Sequence, residues 1–158
     1  MSLTISILVG SGVVALVAHT LWFNHTGRDK ERALVKTRIA QNATSFAKMF
    51  GTEAEQLVAA KLYPRLERLT FTHALPLYMD DRLFSTHAFG SILSPGPTEH
   101  TLGFDREDLL DEVLATVKEL GYKTPSDAEL SAELHQGIET VGQLVQAVAR
   151  LTVLKTNP

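Results

Sequence analysis

Residues 105–121 read DREDLLDEVLATVKELG and determine the fold class of this chain. Asp105 can cap a helix N-terminus, and Asp108 follows at the third helical position, where an acidic side chain stabilises the first turn. Gly121 is a typical C-terminal stop. Apolar side chains recur every three or four residues between them, at Leu109, Leu110, Val113, Leu114, Val117 and Leu120. This spacing predicts an amphipathic helix.

Two more helix starts follow this helix in the C-terminal third. Thr124-Pro125-Ser126-Asp127 offers an N-cap, a proline at the first helical position and an acid at the third, for a helix ending at Gly137. Thr140-Val141-Gly142-Gln143 has the capping-box pattern and starts the closing helix. Its apolar face contains Val141, Leu144, Val145, Val148 and Leu151. Three capped amphipathic helices in close succession predict an all-α bundle.

The middle of the chain is less regular. Thr52-Glu53-Ala54-Glu55 predicts a capped helix in which Pro64 should introduce a kink or a break. Prolines and glycines interrupt the region from Thr70 to Thr101, where we expect only a short helix over Leu77 to Phe84. The predicted organisation is an anchor over residues 1–23, a basic amphipathic helix within 24–50, a connecting region over 51–101 and a helical domain over 102–158.

The anchor is the uncharged stretch Leu3 to Phe23, LTISILVGSGVVALVAHTLWF. A helix needs about 20 apolar residues to cross a bilayer, and Trp22 and Phe23 suit the interface at its end. A cleaved signal peptide and a buried core helix are the alternatives. The stretch lacks the basic start and the cleavage site of a signal peptide. The sequence therefore predicts a single transmembrane helix, and the lipid bilayer as a partner.

Charge predicts the orientation of the anchor. Residues 24–50 contain six basic and two acidic side chains, whereas no charged side chain precedes the anchor. The positive-inside bias then places the body in the cytoplasm or the mitochondrial matrix, with the anchor in an inner membrane. The basic side of the 24–50 helix is expected near anionic headgroups. The basic region is too short to predict nucleic-acid binding. The chain contains no cysteine, which excludes disulfides and thiolate metal sites.

Small residues recur along the predicted anchor, at Ser6, Gly10, Ser11 and Ala15. Their small-xxx-small spacing allows close packing of one membrane helix on another. Such residues are also common in membrane helices that have no partner. The spacing is nevertheless consistent with other membrane-protein subunits as partners.

Leu102-Gly103-Phe104-Asp105, followed by the acidic helix, resembles the acyl carrier protein motif. In that family the segment is Leu-Gly-x-Asp-Ser, and the serine carries a phosphopantetheine arm. Pro125 and Thr140-Val141 also mark helix starts in similar order, so the resemblance covers Leu102 to Leu151. It implies a carrier-like helical domain.

This chain departs from the family at the modified residue. Arg106 stands where the serine would be, and a guanidinium cannot form the phosphopantetheine ester. The resemblance therefore implies a degenerate carrier without a cofactor. In carrier proteins the acidic helix docks on basic patches of partners, which here suggests a basic protein partner for Glu107, Asp108, Asp111 and Glu112. Acids early in a helix are also favoured by the helix dipole alone.

Three functions are compatible with these features. The preferred one is a non-catalytic structural or assembly subunit of a membrane complex. The second is a membrane-tethered acyl carrier that uses another serine, such as Ser91 or Ser94. The third is a membrane-bound enzyme with a His/Asp site, although the sequence contains no glycine-rich phosphate loop and no nucleophile elbow. The metal-capable side chains lack a ligand spacing, so no metal site is predicted from His73, Asp80, Asp81, His87 and His100.

Overall fold

The computed structural model describes residues 2–84, 101–122, 126, 129, 132 and 137–154, with side chains described from residue 16 to residue 152. These residues form five helices: α1 (Ser2–Thr37), α2 (Ala43–Ala47), α3 (Glu53–Leu69), α4 (Arg106–Glu119) and α5 (Val141–Leu154). Extended pairing in the described ranges is limited to two isolated bridges at Arg82. The predicted all-α class is therefore confirmed.

α1 is one continuous helix across the expected boundary at Phe23. The expected single helix within 24–50 is wrong, because the chain leaves α1 after Thr37 and becomes helical again only at Ala43. Asn42 causes the new start: its side chain accepts a hydrogen bond from Ser45 N at 2.9 Å, and the Ser45 hydroxyl accepts one from Asn42 N at 3.0 Å. Such a reciprocal cap fixes a helix N-terminus.

α3 begins as its sequence predicts. Glu55 N donates to Thr52 Oγ1 at 3.2 Å, and Thr52 N donates to the Glu55 carboxylate at 3.1 Å. The predicted break at Pro64 does not occur, since α3 continues to Leu69. Pro64 lies on the exposed side of the helix, where water can hydrate the carbonyl that proline leaves without a donor. Its neighbour Tyr63 is buried and holds the helix against the core.

α4 and α5 also begin at the predicted caps. Asp105 accepts a hydrogen bond from Glu107 N at 2.8 Å, and Gly121 ends the helix with a positive φ of 75°. Gln143 N donates to Thr140 Oγ1 at 3.3 Å, which completes the predicted box of α5.

The cap expected at Thr124 lies outside the described residues. The structure shows a box two residues later, where Ser126 N donates to Glu129 Oε2 at 2.8 Å and Glu129 N donates to Ser126 Oγ at 3.3 Å.

The hydrophobic core lies where α3, α4 and α5 contact one another, with α2 packed on α3. Each helix contributes the apolar stripe that its spacing predicts, including Leu62 and Leu66, Leu109 and Val113, and Val145 and Val148. The connecting segment after α3 adds Leu75, Leu77 and Leu83, all fully buried. The connecting segment is therefore part of the core.

The short helix expected over Leu77 to Phe84 is wrong. Leu83 N donates to Glu139 O at 2.8 Å and Phe104 N donates to Leu83 O at 2.8 Å, so this segment lies extended between the starts of α4 and α5. Gly142 N, in the first turn of α5, donates to Met79 O at 2.8 Å. Backbone groups that a local helix would use are thus paired with distant segments.

Within the part of the chain that the structure describes, no helix is both long enough and apolar enough to cross a membrane.

Candidate functional site

A buried carboxylate joins α1 to the connecting segment. Glu31 is completely buried, and its oxygens accept hydrogen bonds from Phe71 N at 2.6 Å and Thr72 N at 2.9 Å. The Thr72 hydroxyl donates to the same carboxylate. Hydrogen bonds to an ionised acceptor are stronger than neutral ones. Glu31 therefore holds the turn after α3 firmly against α1.

Close packing supports this contact on the N-terminal side. A Cβ atom added to Gly27 would lie 2.7 Å from the Phe71 ring, so only glycine lets the ring approach α1 here. The Phe71 ring also lies 6.2 Å from the Phe23 ring, centroid to centroid. His73 then adopts a left-handed φ of 54°, which turns the chain back toward the core. Phe71 thus covers one full turn of α1, from residue 23 to residue 27.

A buried ion pair makes the second contact. Arg38 and Asp81 form a bidentate pair with N–O distances of 2.6 and 2.7 Å, and their side chains are only 5% and 1% exposed. Arg38 also donates to Pro76 O at 2.7 Å, and Tyr78 N donates to Asp81 at 2.8 Å. The Tyr78 ring lies 4.9 Å from the guanidinium carbon. The additional hydrogen bonds to Pro76 O and from Tyr78 N offset part of the cost of burying the two charges.

A tyrosine hydroxyl adds a third contact to this region. Tyr63 Oη donates to Gln41 O at 3.0 Å, while Leu77 N donates to Tyr63 Oη at 3.4 Å. Burial raises the pKa of Tyr63 above its ordinary value of 10.0, so the hydroxyl stays protonated. One hydroxyl therefore connects α3, the chain after α1 and the connecting segment.

These contacts define the junction, by which we mean Gly27, Glu31, Arg38, Phe71, Thr72 and Asp81. Glu31 and Arg38 lie about two helical turns apart, so the contacts hold α1 at two levels. Two separated attachments fix the direction of a helix relative to its domain, which a single contact would leave free. If the N-terminal half of α1 is held in one direction, the junction therefore holds the rest of the chain in a fixed orientation to it.

The acidic side chains predicted to bind a partner divide into two groups. Glu107, Asp108 and Asp111 are exposed on α4. Glu112 instead accepts hydrogen bonds from Arg65 at 3.1 Å and Arg68 at 3.3 Å, both on α3. The structure therefore leaves three of the four acids available to a partner, and gives Glu112 a role inside the domain.

The C-terminal end of α4 is neutralised by the same face of α3. Glu119 accepts hydrogen bonds from Lys61 Nζ at 2.8 Å and from Arg65 Nη2 at 2.8 Å. The Lys61 ammonium, followed by the Arg65 guanidinium, lowers the pKa of Glu119 from 4.5 to about 2. The exposed negative charge of α4 is consequently concentrated at its first two turns.

Arg106, in the first turn of α4, is exposed and stacks on Phe84. Its guanidinium carbon lies 4.3 Å from the centre of the Phe84 ring. This cation–π contact joins the first turn of α4 to the connecting segment.

Several predicted residues lie outside the described parts of the structure. The side chains of Ser6, Gly10, Ser11 and Ala15 are outside them, and so are Ser91 and Ser94. Of the metal-capable side chains, His87 and His100 are also outside, while His73 and Asp80 are exposed and Asp81 pairs with Arg38. No three metal-ligating side chains come together among the described residues.

Sequence reasoning missed the junction. The sequence identifies Glu31 only as an acid within a basic stretch, and Asp81 only as a metal-capable residue. One signal is present: Gly27 and Glu31 fall on one face of α1, four residues apart, and Arg38 follows seven residues later, just past the end of the helix. A glycine and an acid on one face of a basic helix indicate a close contact, although they do not identify the other side.

Comparisons with known protein families, with curated proteins and with solved structures gave no match to this chain.

Proposed function

We propose that the protein is a non-catalytic structural or assembly subunit of a membrane complex. In this proposal the N-terminal part of α1 is a single transmembrane helix in an inner membrane, and the helical domain lies on the cytoplasmic or matrix side. The domain is a degenerate carrier-like module that holds no cofactor and docks a basic partner.

The observation that carries the proposal is the construction of the junction. The helix that begins with the apolar stretch continues without a break to Thr37, and its last turns are attached through the buried Glu31 and Arg38. A flexible tether would need neither a buried carboxylate nor a buried ion pair, which are costly unless fully partnered. This arrangement supports a rigid connection between an anchor and a domain, as a scaffold requires.

The surface of α4 supports partner docking. Glu107, Asp108 and Asp111 are exposed beside the stacked Arg106, while the remaining acids of α4 are paired with α3. A compact negative surface of this kind favours rapid and oriented association with a basic patch.

The first experiment tests membrane anchorage and assembly with the full chain. Membranes from expressing cells are washed with alkaline carbonate, and the retained protein is solubilised in mild detergent and separated by size. We expect the protein to stay in the membrane fraction and to migrate in a complex larger than its 17.3 kDa mass. Release by carbonate, or migration as a lone monomer, would contradict the proposal.

The second experiment tests the docking surface with matched charge reversals. The Glu107→Lys/Asp111→Lys variant changes one first-turn acid and one further exposed acid. The control Glu53→Lys/Asp80→Lys changes one acid in the first turn of α3 and one exposed acid in the connecting segment. We expect the first variant to lose the proteins that copurify with the wild type, while the control keeps them. Equal recovery from both variants would reject this surface.

A further inference from the structure

The loop after α3 lies at a defined height along α1. The Phe71 ring packs against Gly27 and lies 6.2 Å from the Phe23 ring. A helix rises about 1.5 Å per residue, so Phe23 and Gly27 are about 6 Å apart along the axis. The ring of Phe71 therefore lies at the level of the last turn of the apolar stretch and the first turn beyond it.

Hydrogen bonds hold the loop at this height. Phe71 N and Thr72 N both donate to Glu31, whose side chain leans toward the helix N-terminus as helical side chains do. The Arg38–Asp81 pair fixes the other end of the segment about 10 Å further along the axis. The connecting segment therefore runs alongside α1, with Phe71 to Ala74 at its end nearest the apolar stretch.

The exposed part of this loop suits a lipid interface. His73 and Ala74 are exposed, and residues 71–74, FTHA, contain no Asp, Glu, Lys or Arg. The loop therefore presents no acidic side chain that anionic lipids would repel. Arg28, exposed on the next turn of α1, adds a positive charge at nearly the same level. The headgroup layer is about 5–7 Å thick on each side of the hydrocarbon core, which is about the length of the turn from Phe23 to Gly27 that the Phe71 ring covers.

We propose that residues 71–74, the interfacial loop, lie in the headgroup layer of the bilayer and form a second membrane contact beside the anchor. This inference rests on the proposed membrane anchorage of α1. A helix end and a loop side by side give the domain two contacts with the membrane plane. The domain would then be held at a fixed height with its α3–α4–α5 core outside the lipid.

The test uses the full chain in phosphatidylcholine/phosphatidylglycerol vesicles that contain a lipid with a nitroxide on its headgroup. Because the chain has no cysteine and one tryptophan, single labels are simple to place and Trp22 reports on the anchor in unlabelled protein. An NBD fluorophore is attached at Ala74→Cys. The control carries the same label at Lys36→Cys, which is exposed on α1 about 20 Å beyond Phe23.

We expect the nitroxide lipid to quench Trp22, and to quench the label at residue 74 several-fold more than the label at residue 36. A label at His73→Cys, which is also exposed, should behave like that at residue 74. Quenching of Trp22 with equal, weak quenching at residues 74, 73 and 36 would overturn the interfacial loop while leaving the anchor intact. Absence of Trp22 quenching would overturn the membrane anchorage itself, and the loop with it.

Discussion

The two halves of α1 lie in opposite surroundings. In the apolar N-terminal part, which ends at Phe23, large side chains are exposed: Leu16 by 68%, Leu21 by 66% and Trp22 by 47%. In the C-terminal half, a charged side chain, Glu31, is completely buried. In water, burial is favoured for apolar side chains and exposure for charged ones, so both observations are the reverse of what hydration favours. The C-terminal half acquires its surroundings from the chain itself, through the junction. In the proposed function, the bilayer would surround the apolar N-terminal part.

The two halves of α1 would also be stabilised in different ways. The apolar half of α1 would be stabilised by removal of its surface from water, which does not depend on the details of any contact. The docked half depends on a few polar groups that are satisfied only in one geometry. Single substitutions should therefore disturb the docked half strongly.

Asp81→Ala should have the largest effect, because it leaves the buried Arg38 without its carboxylate. Removing one member of a buried ion pair costs about 3–5 kcal/mol. Urea denaturation of the full chain in mild detergent, followed by far-UV circular dichroism, measures the loss. The control is Glu139→Ala, which breaks the exposed pair with Arg82 and should cost less than about 1 kcal/mol. Similar losses in both variants would show that the Arg38–Asp81 pair is not buried.

Glu31→Ala should destabilise the chain by about 2–4 kcal/mol, because two partly buried backbone donors lose their acceptor. Amide exchange at residues 71 and 72 should accelerate with the loss. Asp29→Ala, two residues away on the exposed side of α1, is the matched control and should leave both measurements unchanged. Unaltered exchange at residues 71 and 72 in Glu31→Ala would contradict the described junction.

Gly27→Ala should destabilise the chain by about 1–2 kcal/mol, since overpacking against Phe71 outweighs the gain in helix propensity. Gly51→Ala is the control, because a Cβ there meets nothing within 4 Å. Thermal melting of both variants in detergent measures the difference. A Gly27→Ala protein as stable as Gly51→Ala would mean that Phe71 does not pack on α1.

Glu119 should give a small, pH-dependent effect. Its pKa falls from 4.5 in the unfolded chain to about 2 in the folded one. Its contribution is therefore complete above pH 4.5 and disappears as the pH falls toward 2. Glu119→Gln should lower the melting temperature slightly at neutral pH. Between pH 5 and 2, the melting temperature of this variant should fall less steeply than that of the wild type.

Lys61→Met provides the check on this effect, because the Lys61 hydrogen bond is the largest cause of the lowered pKa. In Lys61→Met the melting temperature should also fall less steeply between pH 5 and 2, but with a smaller difference from the wild type than in Glu119→Gln. A decline identical to that of the wild type in both variants would show that the Lys61–Glu119 pair does not form in solution.

Local chemistry was predictable from the sequence, and distant pairing was not. The caps at Thr52, Asp105 and Thr140 were predicted because each needs only side chains three or four residues apart. The helix expected over Leu77 to Phe84 failed because Asp81 pairs with Arg38, 43 residues away in the chain. No local pattern reports such a pairing.

The candidate surface shows the same division. The exposure of Glu107 and Asp111 follows from the apolar stripe of α4, which the sequence predicts directly. The pairing of Glu112 with Arg65 and Arg68 depends on how α3 lies against α4, which helix patterns alone do not specify. The membrane anchor remains a prediction from composition.

The most direct test of a single helix that joins anchor and domain is a distance within α1 in lipid. Spin labels at Ala18→Cys and Lys36→Cys, both exposed, lie five turns apart on one face of the helix. In nanodiscs, a continuous helix predicts a narrow distance distribution centred near about 27 Å. A broad or markedly shorter distribution would place a hinge between the two halves and contradict the account.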